Sequence, residues 1–264
     1  MKTIYERDNT GIAYRCGGQG PPVLLVHGSI GDHRSWQLVW PSLERRFRVY
    51  AMDRRGHGAS TDGSTYRFEN EWRDIATLVD AIGGPVDVVG HSFGATCALE
   101  AARLTTNIRR LVLYEPPMPF GRQFWPAAFG DRMQASLDAG MPEEALVLFL
   151  REFLSIPTAD LAVARASPNW PAQIAAAQTI PRELQGLDAY TVDRESLRAL
   201  RIPTLLLLGG NTLPALKTET LHLQGLLPSC RVAVMAGQGH AAMRTAPDVL
   251  AQEIIQFFTA DKAP

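Results

Sequence analysis

Short apolar runs alternate with segments of helical periodicity along most of this chain, and this alternation constrains its fold more than any other feature. The runs lie near residues 23–26, 47–52, 86–89, 111–114, 204–208 and 231–235. Short buried strands that alternate with helices are typical of a mainly parallel sheet with helices on both faces. The sequence therefore predicts the α/β class. Two N-terminal segments, 3–5 and 11–15, predict an antiparallel hairpin at one edge of the sheet.

One turn between a strand and a helix carries a pattern that points to chemistry. The apolar run at 86–89 continues into the pentapeptide 90–94, Gly-His-Ser-Phe-Gly, and then into a helix-like segment at 95–102. The two glycines lack a Cβ atom where a sharp turn presses strand against helix, and the serine between them is lifted clear of the sheet. This arrangement predicts Ser92 as a nucleophile. Small residues are also common in turns without chemistry, so the pentapeptide alone leaves both interpretations open.

Two further glycine-containing loops follow predicted strands. The first, 27–31, reads His-Gly-Ser-Ile-Gly, and the second, 236–240, reads Ala-Gly-Gln-Gly-His. Together with the pentapeptide they resemble the oxyanion loop and the catalytic-histidine loop of the α/β-hydrolases, in the order of that family. The resemblance covers nearly the whole chain outside a central helical stretch. It implies an α/β-hydrolase fold, an oxyanion hole formed by the N–H groups of Ser29 and Phe93, and His240 as general base for Ser92.

Other motif residues are expected to be structural. The hexapeptide 53–58, Asp-Arg-Arg-Gly-His-Gly, follows another predicted strand and resembles the motif of the same family at this place. Its usual role there is structural, so neither Asp53 nor His57 is predicted to be catalytic. His91 is likewise predicted to be a packing residue, because Gly-His-Ser is a frequent form of the elbow.

The acidic member of the implied triad departs from the commonest pattern of the family. After the strand at 204–208 most members carry an aspartate, whereas this chain reads Gly-Gly-Asn-Thr-Leu-Pro at 209–214. Asn211 can hydrogen-bond a histidine, but it cannot offset the charge of an imidazolium. Glu115 ends the preceding strand, stands before two prolines and keeps the order Ser, acid, His. We therefore predict Glu115 as the acid, with Asn211 as the alternative.

The alternation of strands and helices breaks between residues 118 and 200, a stretch rich in helix formers and too long for a crossover connection. This predicts a helical cap at 118–200, inserted into a core made of 1–117 and 201–264. The clearest cap helix is expected at 143–154, after a proline. Aromatic residues near the proposed acid, with one from upstream, suggest an apolar substrate pocket over the nucleophile, although each also suits a structural role: Trp36, Phe120, Phe124, Trp125 and Phe129.

Composition argues against several functional classes. The chain has 264 residues and a formal net charge of −1, so it lacks the basic character that nucleic-acid binding needs. No apolar stretch is long enough to span a bilayer, and residues 1–8 lack the apolar core of a secretory signal. The three cysteines are odd in number and scattered, which fits free thiols in the cytoplasm: Cys16, Cys97 and Cys230. The scattered histidines predict no metal site, and no cofactor is expected.

The residues and the resemblance together favour a serine hydrolase that cleaves a small hydrophobic ester or lactone through an acyl-enzyme on Ser92. Lactones are included because similar proteins with a glutamate on the earlier strand include lactonases of macrocyclic substrates. Hydrolysis of C–C or amide bonds and perhydrolysis use the same residues, and the sequence does not separate them. An alternative of another class is a catalytically silent ligand-binding homologue, because the aspartate expected near position 211 is missing.

Overall fold

The central feature of the fold is one eight-stranded sheet. A computed structural model describes residues 1–121 and 127–260. The strands occur in the spatial order β1-β2-β4-β3-β5-β6-β7-β8. β1 pairs antiparallel with β2, β2 pairs antiparallel with β4, and the other pairs are parallel. The predicted mainly parallel sheet with an N-terminal hairpin is confirmed. The strands are β1 (Lys2–Tyr5), β2 (Gly11–Gly17), β3 (Pro22–Val26), β4 (Arg48–Met52), β5 (Val86–His91), β6 (Ile108–Tyr114), β7 (Thr204–Gly209) and β8 (Cys230–Met235).

Helices cover both faces of this sheet and fill the long connection between β6 and β7. Over the described ranges they are α1 (Trp40–Glu44), α2 (Phe68–Ile82), α3 (Phe93–Ala101), α4 (Ala127–Asp138), α5 (Pro142–Leu148), α6 (Thr158–Arg165), α7 (Trp170–Ala176), α8 (Ile180–Ala189), α9 (Arg194–Ala199), α10 (Pro214–Gln224), α11 (Ala242–Thr245) and α12 (Pro247–Thr259). Two 3-10 turns, His33–Trp36 and Ala177–Thr179, and one π-helical turn, Phe149–Phe153, complete the elements.

The two-residue period of the strands divides the core into two layers. Leu24 and Val26 of β3 belong to the apolar layer that includes α2, α3 and the helices between β6 and β7, whereas Val23 and Leu25 belong to the layer that includes α1 and α12. All four side chains are fully buried. Successive side chains of a strand point to opposite faces, so a strand in the middle of the sheet must be apolar throughout. This is why the continuous apolar runs of the sequence became the strands.

The helices α4 to α9 lie between β6 and β7, in the stretch where a cap was predicted, and this group of helices with their connections is called the cap below. The domain boundaries at 118 and 200 stay a prediction. One cap helix differs from its expected form. The segment expected as one helix at 143–154 is α5 followed by the π-helical turn. In this turn the rings of Phe149 and Phe153 stack at 5.0 Å. A single π-helical turn retains a near-helical apolar period, so the sequence pattern does not reveal it. No helix within the described part of the chain is long and apolar enough to cross a membrane.

Candidate active site

The carboxyl ends of the parallel strands meet at one edge of the sheet, and Ser92 lies there between β5 and α3. Its backbone has φ 53° and ψ −128°. A positive φ is unusual for a residue with a side chain, and such strain costs on the order of 1–3 kcal/mol. Two hydrogen bonds of 2.8 Å hold it: the Ser92 N–H donates to the Tyr114 carbonyl, and the Ser92 carbonyl accepts from the Ala95 N–H. The serine therefore has the geometry of a nucleophile elbow.

Two glycines allow the elbow and the loop after β3 to lie in direct contact. A Cβ atom on Gly94 would press against the carbonyl oxygen of His27. A Cβ atom on Gly28 would lie only 3.0 Å from the Cβ of Ser92. Side chains at these two positions would push the loop away from Ser92. The glycines seen in the sequence are thus needed for close approach.

Glu115 and His240 form a carboxylate–imidazole pair beside the elbow. Glu115 follows β6 with φ 48° and is fully buried. Its Oε2 accepts a hydrogen bond from His240 Nδ1 at 2.5 Å, and its Oε1 accepts from the Gly209 N–H at 2.7 Å. The His240 side chain is 17% exposed. Because Nδ1 donates to the carboxylate, Nε2 is the ring atom that can take up a proton.

Side chains of β5 and β6 support the loop that carries His240. The Nε2 of His91 donates to the His240 carbonyl at 2.8 Å. The Tyr114 hydroxyl donates to the Gly239 carbonyl and accepts from the Ala242 N–H at 3.2 Å. Burial, reinforced by the neighbouring His240, lowers the pKa of His91 well below its usual value. His91 is therefore a neutral support of the loop.

Asn211 does not reach the histidine. It lies exposed in the turn after β7, and its Nδ2 donates to the Gly237 carbonyl at 3.3 Å. Its N–H donates to the Gln238 carbonyl at 2.8 Å. The alternative in which Asn211 orients His240 is wrong, because this side chain joins two loops while Glu115 occupies the Nδ1 side of the imidazole.

Two buried histidines hold the loop after β3. His27 donates from Nδ1 to the Gly28 carbonyl at 2.7 Å, and its Nε2 accepts from the Arg54 N–H at 3.0 Å. His57 donates from Nδ1 to the Gly31 carbonyl at 3.0 Å. Burial, with the positive charge of Arg54, lowers the pKa values of both histidines well below their usual range. Both rings are therefore neutral and structural.

The two predicted oxyanion donors lie on separate elements next to Ser92. Ser29 belongs to the loop after β3 and lines a cavity that Ser92 also lines. Phe93 is the first residue of α3, and its side chain is buried. The first N–H groups of a helix have no partner within the helix, so the Phe93 N–H is available to a ligand.

The cavity has a volume of about 310 Å³ and lies between the elbow, the loop after β3, the His240 loop and the cap. Ser92, His240 and Ser29 border it. Its apolar lining comes mainly from the cap, and polar side chains such as Gln37 and Gln173 face it as well. The arrangement suits a small substrate with an apolar part. The larger apolar lining residues are Ile30, Leu38, Phe149, Leu150, Leu154, Ile156 and Met243.

Three of the predicted aromatic pocket residues do not belong to the cavity. Trp36 is 1% exposed and packs with α1 and α12 on the opposite face of the sheet. Phe129 is also 1% exposed and packs inside the cap. Phe120 packs against His222, in a separate depression. None of the three is among the described residues that line the cavity, so the prediction for them is wrong.

The physical reason is that nearness in sequence to Glu115 does not place a side chain over Ser92. The chain folds back on itself within the cap, so that the π-helical turn and α7 cover Ser92 instead. Phe120 and Phe129 pack against other parts of the molecule. The two remaining predicted pocket residues, Phe124 and Trp125, lie outside the described residues.

A buried cluster of charges connects the cap to the core. Arg54 is fully buried and forms an ion pair with Glu183 of α8, and its Nη1 lies 3.7 Å from Glu71 Oε1 of α2. His57 Nε2 lies 2.9 Å from Glu183 Oε1. Burial raises the pKa values of both glutamates, and Arg54 opposes this effect. Nothing in the sequence pattern singles out Glu183, because a glutamate in an amphipathic helix is usually solvated.

One group of side chains has the composition of a metal site. Within the described ranges, ligand atoms of Asp32, His33 and Asp53 lie within 4.8 Å of one another. His33 Nδ1 donates to Asp53 Oδ1 at 2.8 Å, and Asp32 forms an ion pair with Arg34. These side chains therefore satisfy one another and tie the 3-10 turn His33–Trp36 to the end of β4.

Comparison with known proteins places these features in a family. The model of the alpha/beta hydrolase family matches residues 23–253. The chain belongs to this family. A crystal structure of an alpha/beta hydrolase from Sphaerobacter thermophilus has a TM-score of 0.86 to it at 32% identity, and the match covers 98% of this chain and 100% of that one.

Relatives of this alpha/beta hydrolase include several named hydrolases. The 2-hydroxy-6-oxo-2,4-heptadienoate hydrolase of Pseudomonas putida is 30% identical over 241 residues, which cover 84% of this chain and 83% of that enzyme. The pimeloyl-[acyl-carrier protein] methyl ester esterase of Nitrosomonas europaea is 27% identical, over 88% and 93% of the two chains. Uncharacterized proteins of Mycobacterium tuberculosis and Mycobacterium bovis are 38% identical over 107 residues, but the match spans only 30% of their length.

Proposed function

We propose that this protein is a serine hydrolase of a carboxylic ester or lactone with a hydrophobic acyl or aryl part. One observation carries the proposal: the imidazole that Glu115 binds at 2.5 Å borders the same cavity as the strained Ser92. A serine, a histidine held in one tautomer and a buried carboxylate are the parts that acyl transfer requires. In this proposal Glu115 is the acid, and the catalytically silent alternative loses its main argument, the missing aspartate.

The proposed reaction has two halves. Ser92 Oγ attacks the carbonyl carbon of the substrate while His240 Nε2 takes the hydroxyl proton, and the N–H groups of Ser29 and Phe93 bind the oxyanion. The bond from the carbonyl carbon to the leaving oxygen then breaks, and His240 returns its proton to that oxygen. The acyl group stays on Ser92. Water, deprotonated by His240, attacks the acyl carbon, the bond to Ser92 Oγ breaks, and Oγ regains its proton.

The apolar lining of the cavity supports a hydrophobic acyl or aryl group, and the volume of about 310 Å³ supports a small one. The relative in Nitrosomonas europaea is named as a methyl ester esterase, which supports an ester. A second candidate is C–C bond hydrolysis on the same residues. It is favoured by the relative in Pseudomonas putida, because 2-hydroxy-6-oxo-2,4-heptadienoate contains no ester bond.

The test is a panel of p-nitrophenyl esters of increasing acyl length, a macrocyclic lactone and a hydroxy-oxo-dienoate, measured with the wild type and Ser92→Ala. Turnover of esters or the lactone that disappears in Ser92→Ala supports the proposal. Turnover of the dienoate alone supports the second candidate. No turnover, together with no labelling of Ser92 by a fluorophosphonate in a folded sample, would contradict both.

A further inference from the structure

A glutamate of the cap lies beside the loop that carries one proposed oxyanion donor. Glu183 is 1% exposed on α8. Its Oε1 accepts from Arg54 Nη2 and lies 2.9 Å from His57 Nε2. Burial raises the pKa of this carboxyl, and Arg54 and the nearby Ser29 hydroxyl oppose the rise. Its Oε2 has no hydrogen-bond partner among the described residues. One buried carboxylate of the cap thus lies beside the loop that contains Ser29, which it reaches through His57.

The partners of Glu183 each contact the proposed oxyanion hole from another side. The Arg54 guanidinium lies over the ring of Phe93, 4.6 Å from its centre. The backbone N–H of Arg54 donates to His27, the residue that begins the Ser29 loop. His57 donates to the carbonyl of Gly31, near the end of that loop. The contacts of Glu183 therefore reach the surroundings of both proposed oxyanion donors.

Docking of the cap does not by itself require a buried charge here. A second ion pair joins the same helix to the core at the surface, where Arg182 Nη1 lies 2.5 Å from Asp62 Oδ2. Taking a carboxylate and a guanidinium out of water is costly, and apolar side chains of similar volume often serve packing equally well. A buried pair next to the oxyanion loop instead provides directional contacts, and oxyanion donors need such support because small displacements weaken them.

We propose that Glu183 is a positioning residue through which the docked cap holds the Ser29 loop and the Phe93 turn in the geometry that binds an oxyanion. This inference rests on the proposed hydrolase function. It makes the cap part of the catalytic machinery in addition to its role as a wall of the substrate cavity.

The experiment compares Glu183→Ala with Asp62→Ala, the matched loss of a carboxylate that joins the core to the same helix. Each is assayed for kcat, KM, melting temperature and inhibition by an alkyl trifluoromethyl ketone, which forms a tetrahedral oxyanion on a serine. Glu183→Ala is expected to lower kcat and inhibitor affinity together by about 10²-fold, the size of one lost oxyanion donor, with KM little changed. Glu183→Gln, which keeps an acceptor of the same shape, is expected to retain most of the wild-type kcat and inhibitor affinity. Asp62→Ala is expected to keep the wild-type kcat and inhibitor affinity, even where it lowers the melting temperature.

Equal effects of Glu183→Ala and Asp62→Ala on kcat and on inhibitor affinity would overturn the inference. If Glu183→Ala does not fold, Ser29→Ala replaces it, because this change removes the hydroxyl near Glu183 and keeps the proposed N–H donor. It is expected to lower kcat about tenfold, and an unchanged kcat would overturn the inference. Absence of turnover and of fluorophosphonate labelling in the wild type would instead overturn the proposed function, and this inference with it.

Discussion

Two buried side chains near Ser92 use both of their hydrogen-bonding atoms. Glu115 accepts from His240 with one oxygen and from a backbone N–H of β7 with the other. His27 donates from one ring nitrogen to the Gly28 carbonyl and accepts at the other from the Arg54 N–H. A side chain with both atoms committed has one orientation and one useful protonation state. Changes of charge at these positions should therefore have large effects.

Glu115→Gln removes the negative charge from the proposed triad while keeping the shape of the side chain. We expect kcat to fall by about 10³–10⁴-fold, because the corresponding change in the serine-protease triad costs about 10⁴ through loss of the tautomer and of imidazolium support. The measurement is ester hydrolysis, with circular dichroism as a check of folding. Asn211→Ala is the control and should stay close to the wild type. The reverse order of the two effects would remove Glu115 from the triad.

His27→Gln tests the neutral state of the buried imidazole by its effect on stability at different pH. The unfolded chain binds a proton at His27 below pH about 6.5, whereas the folded protein resists it, because burial and Arg54 lower the pKa. The wild type should therefore lose up to about 1.4 kcal/mol of unfolding free energy per pH unit below 6.5 through this group. In urea unfolding, the unfolding free energy of the wild type should exceed that of His27→Gln by less at pH 5.5 than at pH 7.5. A stability difference between wild type and His27→Gln that stays constant over this pH range would contradict the neutral state of His27.

At the scale of secondary-structure elements, β5, the elbow at Ser92 and α3 form one closely packed unit. The strain at Ser92 is tolerated because β6 and the first turn of α3 hold its N–H and its carbonyl. The loop after β3 lies against the start of α3 without space for another atom. Any extra volume between these elements must separate the proposed oxyanion loop from Ser92.

Gly94→Ala introduces one methyl group at this contact. We expect a loss of about 1–3 kcal/mol of stability, the usual cost of overpacking, and a marked loss of kcat because the loop after β3 is pushed away. Gly130→Ala in α4 is the control: its added methyl meets no atom within 4 Å, and it should stabilise the protein by about 0.5–1 kcal/mol. Urea unfolding and ester hydrolysis measure the two effects. A Gly94→Ala protein as active and stable as the wild type would contradict the contact.

Helix α7 provides a test of which residues set the size of the substrate pocket. Ala172 lines the cavity, whereas Ala175 of the same helix is exposed. Ala172→Phe should shift the preference among p-nitrophenyl esters toward shorter acyl chains, because the ring takes up cavity volume. Ala175→Phe should leave the preference unchanged. Identical chain-length profiles for both variants would show that the acyl group binds elsewhere.

At the level of the whole molecule, the cap and the core are joined by a cation that two carboxylates share. Arg54 lies between Glu183 of the cap and Glu71 of α2, and all three side chains are buried. Arg54→Met would leave two carboxyl groups buried without their counter-charge. Removal of one partner of a buried pair typically costs about 3–5 kcal/mol.

We therefore expect Arg54→Met to lower the free energy of unfolding by about 3–5 kcal/mol in urea titration. Arg132→Met, which removes an exposed ion pair with Glu152 inside the cap, should cost less than about 1 kcal/mol. Similar costs for the two variants would mean that the buried cluster contributes little to the attachment of the cap.

The parts of the molecule that local sequence encodes were predictable. A central strand must be apolar on both faces, so the runs around Leu24, Val88 and Leu206 marked the sheet directly. Sharp turns require glycine, so the surroundings of Ser92 and of Gly28 were visible as motifs. The position of Glu115 beside the other loops was predictable because a carboxylate at the end of a parallel strand lies at the same edge of the sheet as they do.

Contacts between residues distant in sequence were not predictable in the same way. The π-helical turn and α7 contribute to the lining of the cavity, whereas Phe120 and Phe129 do not, because packing of the cap selects which face of each helix meets Ser92. Glu183 carries no local signal, since its burial depends on Arg54 and His57, which lie more than one hundred residues earlier in the chain. Periodicity and turn chemistry are properties of neighbours along the chain, whereas burial and charge pairing depend on neighbours in space. The sheet, the elbow and the loops therefore follow from neighbours along the chain. The lining of the cavity and the buried ion pairs between cap and core follow from neighbours in space.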